Sequence, residues 1–161
     1  VGQVGELMVK APGVLRGYWN SPEATDDALT PDGWLRTGDL VRSGPFGMLA
    51  FQGRRKQVIK SGGYSVYPAE IESVMEEHPD VVEAAAFGLD HAALGQVPAV
   101  AVRLRPGSSV TPEKLVNWSG DRLAHYKAPR KVVIVADFPR TGTGKVQKDA
   151  LAAEHAAENV S

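Results

Sequence analysis

The chain has 161 residues, 43% of them hydrophobic and 23% charged, with a formal net charge of −1. That length allows one good core or two small ones, and the balanced charge excludes the basic footprint of a nucleic-acid or membrane-surface binder. Cysteine is absent, which excludes disulfides, thiolate nucleophiles and thiolate metal sites and suits a reducing cytoplasm.

From the N-terminus, Val1-Gly2-Gln3-Val4 carries neither an initiator Met nor a signal-peptide pattern, and reads as the start of a piece of something longer. Residues 4–10, with Leu7 and Val9 set against Glu6 and Met8, predict a strand closed by Pro12-Gly13. Ser21-Pro22-Glu23 predicts a short helix ending near Leu29, before the turn Thr30-Pro31-Asp32-Gly33. Trp34–Val41 and Met48–Gln52 read as a strand pair joined by Ser43–Gly47. This β-rich stretch, to about Gly53, has too little apolar mass for a core of its own. The break falls near Gly53–Lys56.

Beyond the break the pattern changes. Pro68–His78 is a predicted helix with Ile71, Val74, Met75 and His78 on one face. Strands follow at Val81–Leu89 and Val100–Leu104, with a loop between them. A helix beginning at Thr111-Pro112-Glu113 would turn Leu115, Trp118, Leu123 and Tyr126 inward, weakened by about 1 kcal/mol at Gly120. Val132–Val135 is a short strand, and from Val146 a last helix frays into an alanine-rich tail. No run approaches the roughly 20 apolar residues of a bilayer span. The order of elements implies a compact α+β module.

Four segments carry the candidate chemistry. Asp39, in Thr37-Gly38-Asp39, turns a carboxylate outward at a strand end, where it could accept both hydroxyls of a ribose or cap local backbone N–H groups. Gly53-Arg54-Arg55-Lys56 sets three cations at the break, as solvation or as a means of addressing a nucleotide. Ser61-Gly62-Gly63-Tyr64 is either a plain hairpin turn or a place where a slender ligand approaches the backbone beside an aromatic wall. In Pro139-Arg140-Thr141-Gly142-Thr143-Gly144-Lys145, a long-stemmed point charge follows a turn with exposed backbone, a means of reaching a phosphate or carboxylate. The four histidines show no metal-ligand spacing and read as structural or surface residues. Glu70 and Glu72 lie too close in sequence to face each other as an acid–base pair on a helix.

In order, "GELMVKAPGVLRGYWNSPEAT", "GWLRTGDL", "GRRKQVIKSGGYSVYPAEIE" and "PRTGTGK" resemble the C-terminal part of the adenylate-forming superfamily: acyl- and aryl-CoA synthetases, peptide-synthetase adenylation domains and firefly-type luciferases. The resemblance implies an α+β lid domain at residues 54–161, with a central sheet, flanking helices and a hinge hairpin. Residues 1–53 would be the β-rich end of a large N-terminal domain. It further implies that Asp39 holds the ribose of ATP, that Arg54 assists at ribose or phosphate, and that Lys56 is the hinge. Lys145 would be the catalytic lysine, bridging the carboxylate substrate and the α-phosphate. Gly62, Gly63 and Tyr64 would line the pantetheine tunnel, and Arg130, after Ala128-Pro129, would meet the nucleotide end of coenzyme A.

On that resemblance the protein is an acid–thiol ligase in a longer form. Its substrates would be a carboxylic acid, ATP and CoA, with Mg²⁺ bound through the N-terminal domain, and a lysine acetyltransferase would act on Lys145. The acid is chosen by a pocket upstream of this chain. Gln57 stands where many relatives carry an acid after the hinge lysine, which removes a hinge salt bridge. An adenylation domain serving a carrier protein, a luciferase-like oxygenase and a non-catalytic α+β binding module are the competing readings.

Overall fold

The computed structural model describes residues 2–156. The chain divides into two compact units, Val1–Lys56 and Gln57–Ser161.

In the first unit, β1 (Val4–Val9), α1 (Pro22–Ala28), β2 (Leu35–Ser43) and β3 (Leu49–Arg54) follow in chain order. The strands form an antiparallel sheet in the order β1-β2-β3. β3 runs to Arg54, whose register partner is Asp39, so the division falls after the three cations rather than before them. Every buried apolar side chain of the described residues lies at Ile59 or beyond. The first unit instead presents Phe46, 99% exposed, with Met48, Leu49 and Phe51 also bare.

The second unit contains β4 (Ile59–Ser61), β5 (Tyr64–Val66), α2 (Pro68–Glu76), β6 (Val81–His91), β7 (Gly95–Leu104), α3 (Pro112–Gly120), β8 (Lys131–Ile134) and α4 (Lys148–His155). Its sheet runs β5-β4-β7-β6, and β8 pairs in parallel with β7. The β6 and β7 strands form one long hairpin where a loop was expected. Pro98 disguises the start of β7: it stands between Gly95, which bridges β4, and Ala99, where the β8 ladder begins. Its carbonyl accepts the Arg130 N–H at 2.9 Å.

Both faces of that sheet are apolar, and strict alternation divides them. Ala84, Ala86, Val100 and Val102 face one core with Ile71, Met75 and Leu115 from α2 and α3. Ala85, Phe87, Leu89, Val97, Ala99 and Ala101 face the other, with Phe138 and Leu151 of α4. A sheet covered on both sides reads in sequence as a continuous apolar run, as these strands do. A β-bulge between Val81 and Glu83 shifts the register, so Val81 joins the α2–α3 side while Glu83 pairs with Arg103. The outer edge of β6 is covered by α2: Glu76 accepts the Ala84 N–H and Glu72 the Ala86 N–H, at 3.1 and 2.8 Å.

Two helices are shorter than their periodicity suggests. α2 stops at Glu76, and His78 instead uses Nδ1 to accept the Asp80 N–H. α3 stops at Gly120, the poorest helix former in its pattern apart from proline. Trp118 is anchored on its Nε1–H, which donates to the Val74 carbonyl at 3.0 Å, and Leu123 is buried beyond the helix end. Tyr126 leaves the core and stands at the surface. α4 begins at Lys148 because Val146 bridges back to Arg140 and the Gln147 N–H donates to Pro139. The end of the alanine-rich tail, residues 157–161, lies outside the described residues.

Candidate active-site elements

In the first unit, Asp39 and Arg54 are direct cross-strand partners, with Arg54 Nε 2.7 Å from Asp39 Oδ1. The contact is a charge pair without an N–H aligned on the oxygen. Asp39 is the central residue of β2 rather than standing at a strand end as expected, and Thr37 supports it there: its hydroxyl donates to the Leu7 carbonyl at 2.7 Å and accepts the Asp39 N–H at 3.1 Å. Glu6 completes the surroundings, accepting the Gly38 N–H at 3.0 Å and lying 3.9 Å from Arg55. The result is an acceptor group fixed on a strand, beside a guanidinium that can turn to an anion. Lys56 is exposed in the short 3₁₀ turn Arg55–Gln57, at the division of the chain.

In the second unit, Ser61 and Tyr64 are cross-strand partners around a two-residue turn. Gly62 and Gly63 have φ of 55° and 84°, the doubly left-handed backbone of a type I′ hairpin. A Cβ at Gly62 would stand 3.2 Å from Leu94, whereas one at Gly63 would meet open space. Tyr64 stacks on Tyr126 with ring centroids 4.4 Å apart. Next to Tyr126, Lys127 is held by both oxygens of Glu70, at 2.7 and 2.9 Å. Pro129 is fully buried and fixes the next step of the chain, while the Arg130 side chain is exposed, 3.5 Å from His91 Nε2.

The Lys145 loop is a closed turn rather than an open strap. Arg140 and Val146 bridge its base. Inside it, the Gly144 N–H and Thr141 carbonyl bond at 2.8 Å, as do the Thr141 N–H and Lys145 carbonyl. The Thr141 hydroxyl accepts the Lys145 N–H at 3.2 Å and lies 2.9 Å from the Thr143 hydroxyl. Gly144 takes φ of 82°, which closes the turn. Lys145 itself is exposed, and its ammonium has no partner among the described residues.

Sequence reasoning gave Arg140 and Glu83 no role. Arg140 donates from Nη1 to the Gly144 carbonyl at 3.1 Å and from Nη2 to both oxygens of Glu83, at 2.8 and 2.6 Å. Glu83 also accepts from Arg103 at 3.2 Å. The hydrogen bond from Arg140, followed by burial working against it and then the bond from Arg103, holds the Glu83 carboxyl below the usual glutamate range. The signal for this pair was a carboxylate set in the apolar run Val81–Leu89, which the bulge hides from a period-two count. Among the described residues no three His, Asp or Glu side chains are placed to hold a metal ion, and no helix is long and apolar enough to cross a membrane.

Residues 70–145 match the family of AMP-binding enzyme C-terminal domains. The chain is 37% identical over 151 residues to a mitochondrial medium-chain acyl-CoA ligase of Danio rerio, which covers 94% of this chain and 25% of that protein. It is 42% identical over 149 residues to 2-succinylbenzoate–CoA ligase of Geobacillus kaustophilus, covering 92% of this chain and 30% of the relative. Among solved structures, ATP-bound MatB from Rhodopseudomonas palustris superposes with a TM-score of 0.91 at 36% identity, covering 97% of this chain and 31% of that one. The chain thus spans less than a third of the length of each of these relatives.

Proposed function

This chain belongs with the C-terminal portions of the AMP-forming acyl-CoA ligases, and from that premise we propose that it is the hinge-and-lid part of a carboxylic acid–CoA ligase. In the first half-reaction a carboxylate oxygen attacks the α-phosphorus of ATP, and the bond to pyrophosphate breaks, giving an acyl-adenylate. In the second, the thiol of CoA attacks the acyl carbonyl and AMP leaves with the bonding electrons. The single observation that carries the reading is identity of 37% and 42% to two CoA ligases over more than nine-tenths of the chain.

Lys145 serves the first step. Its unpartnered ammonium on an exposed, closed loop is a point charge free to neutralise the crowding of carboxylate against phosphate. Asp39 accepts the ribose hydroxyls, and Arg54 swings from Asp39 toward ribose or phosphate. Lys56 is the pivot that exchanges one working pose for the other. In the second step Gly62, Gly63 and Tyr64 line the pantetheine path, and Arg130 meets the phosphates of the CoA nucleotide. The reading assigns Mg²⁺ to the N-terminal domain; among the described residues no donor set fits a metal ion, and no step on them runs through one. The reading includes a cytoplasmic setting. The exposure of Lys145 supports access by a lysine acetyltransferase, and acetylation would erase the charge that adenylation uses.

The test is a pyrophosphate-release screen of the full-length enzyme across carboxylic acids, followed by thioester formation with CoA. Acid-dependent pyrophosphate release and a CoA thioester are expected. Release with no thioester unless a carrier protein is supplied would move the protein to the carrier-loading class, and no ATP turnover at all would leave a binding module.

A further inference from the structure

We propose that Arg140 is a positioning residue for Lys145, tying the catalytic loop to the central sheet through Glu83. This rests on the reading of Lys145 given above.

The loop's own bonds close it but do not aim it. Thr141, Thr143 and the Gly144 N–H bond only within residues 141–145, and the Arg140–Val146 bridge and the Gln147 N–H on the Pro139 carbonyl close the base, so these bonds fix the turn's shape and leave the direction of its tip free. Arg140 supplies the missing anchor. One end of its guanidinium fork holds the carbonyl of Gly144, the residue directly before Lys145. The other end holds both oxygens of Glu83, which is a strand residue of β6 and is fixed in turn by Arg103 of β7. The planar group also lies over the buried Phe138 ring, 5.8 Å from its centroid, which restricts its tilt. Only a guanidinium can serve both ends at once, because its donors form a rigid planar fork. A lysine reaches one end or the other. The Arg140 side chain is about one-third exposed and packs on the surface of the unit, so its loss leaves both cores intact.

A group that aims a reacting charge acts on the transition state, so its removal lowers kcat and leaves KM in place. Misplacing a catalytic group by about 1 Å costs up to about 10²-fold. In the full-length enzyme, Arg140→Ala should therefore slow adenylation by about 10- to 100-fold with KM for ATP and acid unchanged. Thioester formation from supplied acyl-adenylate should stay near the parent rate. Arg140→Lys should restore thermal stability but not the adenylation rate, a split that a purely structural salt bridge would not produce. Glu83→Gln should move the rate in the same direction, and adding it to Arg140→Ala should cost little more.

Two controls separate this proposal from the reading beneath it. Lys145→Ala that adenylates normally would overturn the role of Lys145. Lys145→Ala that fails while Arg140→Ala adenylates at the parent rate would overturn the brace alone. Independently of activity, backbone order parameters of residues 141–145, measured by NMR on the present chain, should fall in Arg140→Ala; unchanged values would also overturn it.

Discussion

Two tight turns of the second unit bear the candidate chemistry, and they are held in opposite ways. The Gly62–Gly63 turn is set by backbone: two left-handed residues join two short strands, the Gly62 N–H donates to the Leu94 carbonyl at 2.9 Å, and no charged side chain among the described residues bonds to it. The Lys145 loop is set by side chains, with hydroxyls inside it and a guanidinium behind it. The first kind of turn keeps its shape under any solution condition that spares the fold. The second carries a charge network, so its aim responds to substitution and to pH. A segment that lines a path needs shape, whereas one that delivers a charge needs direction.

The sharpest way to break this comparison is at the charge itself. Lys145→Ala in the full-length enzyme should slow adenylation by roughly 10²- to 10³-fold, the scale for one positioned electrostatic stabiliser. Thioester formation from preformed acyl-adenylate should be nearly normal. Pyrophosphate release and thioester assays report the two steps separately, and equal loss of both would remove the division of labour between the turns.

At the glycine turn the effect should be on stability. Gly63→Val places a β-branched residue at φ of 84° and should cost about 1–2 kcal/mol in chemical denaturation, although its Cβ meets open space. Gly63→Asn, which tolerates left-handed backbone, should cost clearly less. Similar losses for both would show that space and not stereochemistry governs the turn. Smaller again is the aromatic contact beside it. Tyr64→Ala and Tyr126→Ala should each remove the same stacking contribution, about 0.5–1.5 kcal/mol, and the double variant should fall short of their sum.

The mildest test is pH. Glu83 titrates below its ordinary range in the folded chain, so its contribution is complete above the unfolded glutamate value and fades as pH falls through the lowered one. Across that acidic window the Arg140 guanidinium signals in NMR should move with Glu83 and the 141–145 loop should loosen, while the Gly62–Gly63 amides stay put. In Glu83→Gln the transition should be absent.

Much of this was legible in the chain. The α+β class and the helix starts at Pro22, Pro68 and Pro112 follow from turn residues, caps and periodicity, whereas the four candidate segments gained their chemical reading from their resemblance to a family. What escaped did so for physical reasons. Pro98 argued against a strand, yet it fits where β7 passes from one neighbour to another. Periodicity carried α3 to Tyr126, but Gly120 ended it, freeing Tyr126 to stack on Tyr64. Asp39 and Arg54 were each singled out, but their pairing depends on a strand register that sequence spacing does not state. Glu72 was considered only as half of an excluded acid–base pair and Glu76 not at all, yet together they seal the edge of β6, a role set by how α2 packs on the sheet.

The bulge in β6 bears on insertions and deletions. With Val82 as the extra residue of the ladder, Val81 and Glu83 already point to opposite faces on either side of it. A chain shortened by Val82 alone would keep Val81 among the α2–α3 side chains and Glu83 toward Arg140, with the strand merely straightened. Loss of one residue between Ala84 and Leu89 would do something different. It would invert the alternation of the strand's remainder, interchange small and large side chains between the two cores, and unfold the sheet. Length variation is thus tolerable at one position of this strand and lethal a few residues further along.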